Sequence, residues 1–419
     1  MPAKNDTYPC HQIIDENQEF SDELSTVIEQ KWELSEAKLD YHVVSIFGSR
    51  YTAGKTCSQT TQSIWMSRAT QLPILLIDVQ GPVGPKSNKD QDFESKAALF
   101  ALTTTEVLIF DLREPDLFTN STISMLENVI QAYLRLFQNP KGARQKTLII
   151  TIIRDNEIFG QAPPFKEFKE NLNNIFNNIW RTLDNKATIT TPTIDDFFDF
   201  MFFNGSRDPI FSSEQFIKDV TNLQERFIDP TTSDYVFQPQ YHKQIPIDGY
   251  HKYVSDIWTQ ICLNKSLDLS TQQKLLSELR CDEISNDVLK RFEKRFDLLL
   301  TRTLEKDDII SDLGYRMRTL QDNTINEYQT RASCYLSEIY QEKEKKLLEK
   351  INAKLHVLFD AQLKFLHIKA IKMFEYELKV TIFNGSLPLV DDDTKGIIVS
   401  RRSLIETNSP SKYKLVVSR

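Results

Sequence analysis

"IFGSRYTAGKTCSQTTQSIW", residues 46–65, is the stretch on which the fold turns. A hydrophobic run enters Gly48, and Gly54-Lys55-Thr56 follows. That order resembles a phosphate-binding loop, G-x-x-x-x-G-K-[ST]. In such a loop backbone N–H groups cradle phosphates while the Lys and Ser/Thr serve phosphate and Mg²⁺. Five residues, Ser49 to Ala53, separate the two glycines here, one more than the pattern carries.

Working outward, "YHVVSIFG" (41–48), "PILLIDVQG" (73–81), "EVLIFDL" (106–112) and "KTLIITIIRD" (146–155) are short and almost continuously apolar. Such runs predict parallel strands buried on both faces, with helices between them. "DFESKAALFALTTT" and "TISMLENVIQAYLRLF" supply two of those helices. In the second, Met125, Val129, Ile130, Tyr133, Leu136 and Phe137 recur at helical spacing. Residues 38–228 are therefore expected to form one α/β domain after an N-terminal segment, 1–37. Residues 228–249 hold three of the sixteen prolines, so a linker is expected at 229–249. From Tyr315 to Asn384 there is neither Gly nor Pro. This predicts a helical bundle over 250–384, of two or three helices within 315–384, and a loose Ser- and Asp-rich tail at 385–419.

Composition narrows the function classes. The 419 residues, with 40% hydrophobic and 26% charged, suit a globular chain of two domains. The net charge of −8 argues against a general nucleic-acid binder, and no nucleic-acid partner is expected. Five scattered cysteines without a C-x-x-C pair give no zinc pattern and suit reduced thiols. The N-terminus has no signal-peptide core, and the longest apolar runs are far below the ~18 residues a bilayer requires. A cytoplasmic chain without a transmembrane segment is expected.

Three elements sit at the carboxyl ends of expected strands, the edge at which open α/β sheets bind ligands. The first is Gly48 with Gly54, Lys55 and Thr56. The second is Asp78 with Gly81, the positions at which P-loop proteins organise Mg²⁺ and meet the γ-phosphate. The third is Arg154-Asp155, where an Asp can accept two hydrogen bonds from a guanine edge. Each alone is common in turns and caps; their order carries the reading.

These segments, with "VSIFGS", "QTTQSIWM", "DQDFESKAALFALTTTEVLI", "DFFDFMF", "YHKQIPIDG" and "STQQKLLSELRCDEI", resemble the fungal members of the atlastin / root-hair-defective-3 family over roughly residues 12–300. The resemblance implies an α/β P-loop G domain of the GB1/RHD3 type, mostly parallel with flanking helices, followed by an all-α helical bundle. It implies a dynamin-like GTPase with GTP and Mg²⁺ as cofactors, acting in membrane fusion and organisation of the endoplasmic reticulum (ER). Its implied partners are a second G domain, in a homodimer or a heterodimer with a full-length relative, and ER-shaping membrane proteins at the cytosolic face.

The chain departs from that family where the nucleotide would sit. Beyond the surplus loop residue, only Cys57, Ser58 and Gln59 separate Thr56 from Thr60-Thr61, so a helix and a switch loop are absent. Thr61 lies within about 17 Å of Thr56 even at full extension, close enough to serve the same metal. The family's Glu and Thr after the strand-end Asp-Val are Gln80 and Pro82, and Pro82 has no N–H for a phosphate. Arg50 occupies a loop position where some relatives place a cis arginine finger, against the plain reading of an exposed loop arginine. The expectations are GTP binding with weakened hydrolysis, a silent pseudo-GTPase serving as an interaction module, or an incomplete gene model of an active GTPase.

Overall fold

The computed structural model describes residues 8–48, 63–70, 72–80, 88–113, 119–136, 145–154, 165–182, 193–204, 214–263, 269–305 and 309–383. In chain order the elements are β1 (His11–Ile14), α1 (Leu24–Thr26), β2 (His42–Gly48), β3 (Ile64–Arg68), β4 (Ile74–Gln80), α2 (Asn88–Thr104), β5 (Val107–Arg113) and α3 (Asn120–Leu136). They continue with β6 (Thr147–Arg154), α4 (Phe165–Thr182), β7 (Phe198–Asn204), α5 (Glu214–Ile228), α6 (Ile247–Cys262), α7 (Leu269–Glu305), α8 (Leu313–Ala332) and α9 (Ser337–Phe383). Short 3₁₀ or π turns lie at 27–31, 35–37 and 194–196.

Among the described residues seven strands form one sheet in the order β1-β3-β4-β2-β5-β6-β7. β3 runs antiparallel to both β1 and β4; β4, β2, β5, β6 and β7 are mutually parallel. The four strands expected from apolar runs are β2, β4, β5 and β6. The other three were not expected, for different reasons. β1 and β3 are short, at four and five residues, and β1 is an edge strand. In β7, "FDFMFFN", Asp199 interrupts the run and pairs with Lys146 at 2.9 Å.

α2 illustrates how local sequence sets an element's end. Its last residues and the one after it form a threonine run. The Thr103, Thr104 and Thr105 hydroxyls donate to the carbonyls of Leu99, Phe100 and Ala101 at 2.7–2.9 Å. β-Branched residues that bond back to the preceding turn weaken helix propagation. The chain then leaves for the sheet, with Glu106 N–H donating to Val43 at 3.0 Å.

The chain forms two compact units, Met1–Val288 with Ile325–Leu347, and Leu289–Thr324 with Leu348–Arg419. In the first, one sheet face is covered by α2, α3 and α4, and the other by α5 and the segment after it. Residues 229–249, expected as a linker, have no helix before Ile247, yet Val236, Phe237 and Tyr241 are buried with Val44, Ile74, Val107, Leu148 and Ile150. Trp258 of α6 meets Phe93 and Phe100 of α2 edge-on, at 6.2 and 5.7 Å between centroids. Its Nε1–H donates to the Gln18 carbonyl at 2.8 Å. Asp248 joins Arg280 of α7 at 2.6 Å and accepts from the Tyr335 hydroxyl at 2.6 Å.

The second unit is helical. Phe292 and Phe296 stack at 5.7 Å, and Leu313, Leu320, Ile351, Leu355 and Leu358 are buried. Gln362 is buried, donating to the Ile310 carbonyl at 2.9 Å and accepting the Ile310 N–H at 3.2 Å. The gap-free sequence after Tyr315 thus forms α8 and α9, as a bundle rather than one rod. The expected tail, 385–419, lies outside the described residues. Cys262, Cys281 and Cys334 are free. Cys10 is disulfide-bonded, so the expectation of reduced thiols fails there.

Candidate functional site

The chain leaves β2 to reach β4 on one side and then crosses to β5 on the other. Connections therefore diverge at the carboxyl end of β2, the switch point at which such sheets bind ligands. Gly48 ends β2 there, in register with Gln80 of β4 and Asp111 of β5. Arg154 ends β6 on the same edge, in register with Arg113. The sequence-derived candidates Gly48, Asp78 and Arg154 are thus brought to one edge. Arg50, Gly54, Lys55, Thr56, Thr61, Gly81 and Asp155 lie outside the described residues.

Asp78 is the candidate whose surroundings are best defined. It is partly buried, opposite Ile46 of β2 and Trp65 of β3. Burial lifts its carboxyl above the ordinary value. Among the described residues no cation pairs with it. A partly buried carboxylate with no described cation beside it fits a hard, oxygen-seeking divalent ion such as Mg²⁺. Asp111 is a neighbour that the sequence reading missed. It is 3% exposed and on the same face as Asp78. The signal was present in "LIFDL", another strand-end aspartate.

At the opposite, amino edge, His42, Glu106 and His242 bring nitrogen and carboxylate atoms within 4.8 Å of one another. His42 Nδ1 donates to Glu106 at 2.8 Å, its ring stacked on Phe237 at 3.9 Å. His242 Nδ1 lies 3.0 Å from the Gln244 backbone N–H, which can only donate. Its proton therefore sits on Nε2, which donates to the Leu39 carbonyl at 2.9 Å. A metal on Nε2 would need the proton on Nδ1, where a donor already points. These bonds make the cluster a hydrogen-bonded knot rather than a metal centre. Lys243 is buried beside it, donating to Thr147 at 2.9 Å. Burial pulls its ammonium down to about 8, against the opposing pull of Glu106.

A mostly parallel sheet with helices on both faces, a glycine and a shielded aspartate at the switch point, and a helical bundle behind it define a G domain joined to a helical bundle. Residues 43–270 match the model of the Root hair defective 3 GTP-binding protein (RHD3) GTPase domain, and residues 311–392 match the Sey1 three-helix bundle domain. The chain belongs to this RHD3 GTPase family. It is 34% identical over 388 residues to Protein SEY1 of Laccaria bicolor, covering 88% of this chain and 49% of that one. With Protein SEY1 of Cryptococcus neoformans var. neoformans serotype D the identity is 37% over 383 residues, covering 86% and 46%. With Protein sey1 of Aspergillus terreus it is 32% over 457 residues, covering 96% and 53%. The chain spans about half the length of the curated relatives it matches. No helix among the described residues is long and apolar enough to cross a membrane.

Proposed function

We propose that this chain binds GTP with Mg²⁺ at the carboxyl edge of the sheet, as a dynamin-like G protein related to ER-shaping GTPases, with weakened hydrolysis. The observation that carries the reading is Asp78, a partly buried carboxylate with no cation paired to it among the described residues, two residues before the strand position level with Gly48, inside a family-matched GTPase domain. Lys55 holds the β- and γ-phosphates, and Gly48 and Gly54 shape the loop around them. Thr56 and Asp78 hold the ion, with Thr61 as a further candidate ligand, while Gly81 meets the γ-phosphate and Arg154-Asp155 the base. Arg50 is a candidate for stabilising transition-state charge. The ion, when bound, neutralises phosphate charge as the bond to the γ-phosphoryl group breaks. Pairing of G domains, with a second copy or a full-length relative, would carry the activity to the cytosolic face of the ER.

The weakened turnover has its own support. Only residues 49–63 lie between β2 and β3, too few for the family's helix and switch loop together. The same observation favours the second reading, a folded but silent G domain that serves as an interaction module. Labelled GTP with Mg²⁺, added to purified protein, separates the two. Micromolar binding that Lys55→Ala abolishes supports the first reading. No binding by a folded chain supports the second. A single-turnover assay then measures hydrolysis, and a rate equal to that of an intact relative would overturn the weakened turnover.

A further inference from the structure

We propose that the cavity between the sheet and helices α2, α3 and α4 is a binding site for a short aliphatic alcohol, its hydroxyl paired with Thr151 and its alkyl chain among the apolar walls. The site stands apart from the nucleotide reading and does not depend on it.

The residues that line the cavity all belong to the first compact unit. Phe47 of β2, Phe110 of β5 and Thr151 of β6 line it from the sheet; Met125 and Val129 of α3 and Phe168 of α4 line it from the helices. Phe47 is level with Phe110 across β2–β5, and Phe110 with Thr151 across β5–β6, so the three side chains share one sheet face. The two phenyl rings stack 5.6 Å apart. Among the described lining residues Thr151 alone carries a side-chain oxygen or nitrogen. Its hydroxyl is fully buried and has no hydrogen-bond partner. The threonines of α2 bond back to the preceding turn, but β6 is paired on both sides. Its carbonyls point into those ladders, away from a side chain standing on the face.

The chemistry of the walls selects the occupant. A buried water needs two to four polar partners, and the described lining offers one. An ionised ligand would meet no counter-charge among the described walls. A wholly apolar molecule would fill the space but leave the hydroxyl unpaired. A short alcohol meets both demands: its oxygen exchanges a hydrogen bond with Thr151 Oγ, and its carbons supply the missing packing contacts. The volume of about 60 Å³ equals the liquid share of roughly two waters and suits on the order of three non-hydrogen atoms. At the ceiling of affinity per atom, a ligand of that size reaches a Kd of about 1 mM.

Ethanol is the probe, titrated into full-length protein labelled with ¹³C at the methionine methyls, with Met125→Leu assigning the cavity resonance. The Met125 signal should shift saturably with a Kd of about 1–10 mM, while that of Met373, exposed on α9, shows no saturation. Thr151→Val keeps the shape without the hydroxyl and should weaken binding about fivefold. Val129→Phe fills the space and should abolish saturation; Ala98→Leu, on α2, serves if that variant does not fold. An unshifted Met125 in the parent would overturn the site. A Kd unchanged in Thr151→Val would overturn the pairing and, with it, the choice of an alcohol. Saturation that survives in a folded filling variant would put the ethanol elsewhere and overturn the site as well.

Discussion

At the residue scale, Asp78 and Lys243 are charges held where water is scarce, and each makes stability depend on pH in its own way. Asp78 has a folded pKa raised above the unfolded one, so the unfolded chain ionises first as pH rises. Its charge is therefore unfavourable to folding at neutral pH, and that effect vanishes as pH falls below the ordinary carboxylate range. Asp78→Asn is expected to stabilise the protein at pH 7, on the ~1 kcal/mol scale of single substitutions, while losing cation binding. Thermal unfolding at pH 7 and pH 3.5 checks this; an equal gain at both values would contradict it. Lys243 has a folded pKa lowered to about 8 from its ordinary 10.5. Between these values the unfolded chain binds more protons, so stability should rise with pH by up to about 3 kcal/mol across that window. Denaturant unfolding at several pH values should show that slope in the parent and its loss in Lys243→Met.

At the scale of elements, the sheet face under α2, α3 and α4 is not fully packed. A cavity of about 60 Å³ is lined by Phe47, Phe110, Met125, Thr151, Phe168 and Phe198 among others. The Thr151 hydroxyl is buried there with no hydrogen-bond partner. An unsatisfied buried hydroxyl costs about 1–3 kcal/mol, and valine has nearly the same shape. Thr151→Val should therefore stabilise by about 1 kcal/mol, read as a higher denaturant midpoint at unchanged slope; a lower midpoint would show that the hydroxyl has a partner. How much of this was legible in the sequence depends on the element. β2, β4, β5 and β6 announced themselves because strands buried on both faces must be apolar throughout. β7 did not, because Asp199 satisfies its charge with Lys146, distant in sequence. The end of α2 could be read from its threonines, but the burial of Phe237 and Tyr241 could not, since proline-rich segments look alike whether they cross solvent or cover a sheet. Asp78 and Gly48 were legible as a motif. The pairing of Asp78 with Ile46 and Trp65 was not, because register across β2, β4 and β3 is a property of pairing rather than of order.

At the scale of the whole molecule, two compact units should respond differently to a ligand of the sheet. A nucleotide that binds only the folded first unit stabilises it by about 2.7 kcal/mol at a hundred times its Kd. In calorimetry, GTP with Mg²⁺ should raise the transition of the first unit and leave that of the second in place. Lys55→Ala should abolish the rise. A shift of both transitions together would mean that the units melt as one, and no shift would favour the silent G domain.

The bond from Trp258 to Gln18 closes a loop of 240 residues. A ribosome adding about 5–20 residues per second needs roughly 12–50 seconds to make that much chain. For that time the N-terminal segment exists without the indole that anchors it, while the strands between are emerging in order. The bond to α6 is therefore a late one for this segment, made well after β1 can pair with β3. Until then the segment is held by the β1–β3 pairing and by the Trp32 indole, which donates to the Pro9 carbonyl at 3.1 Å.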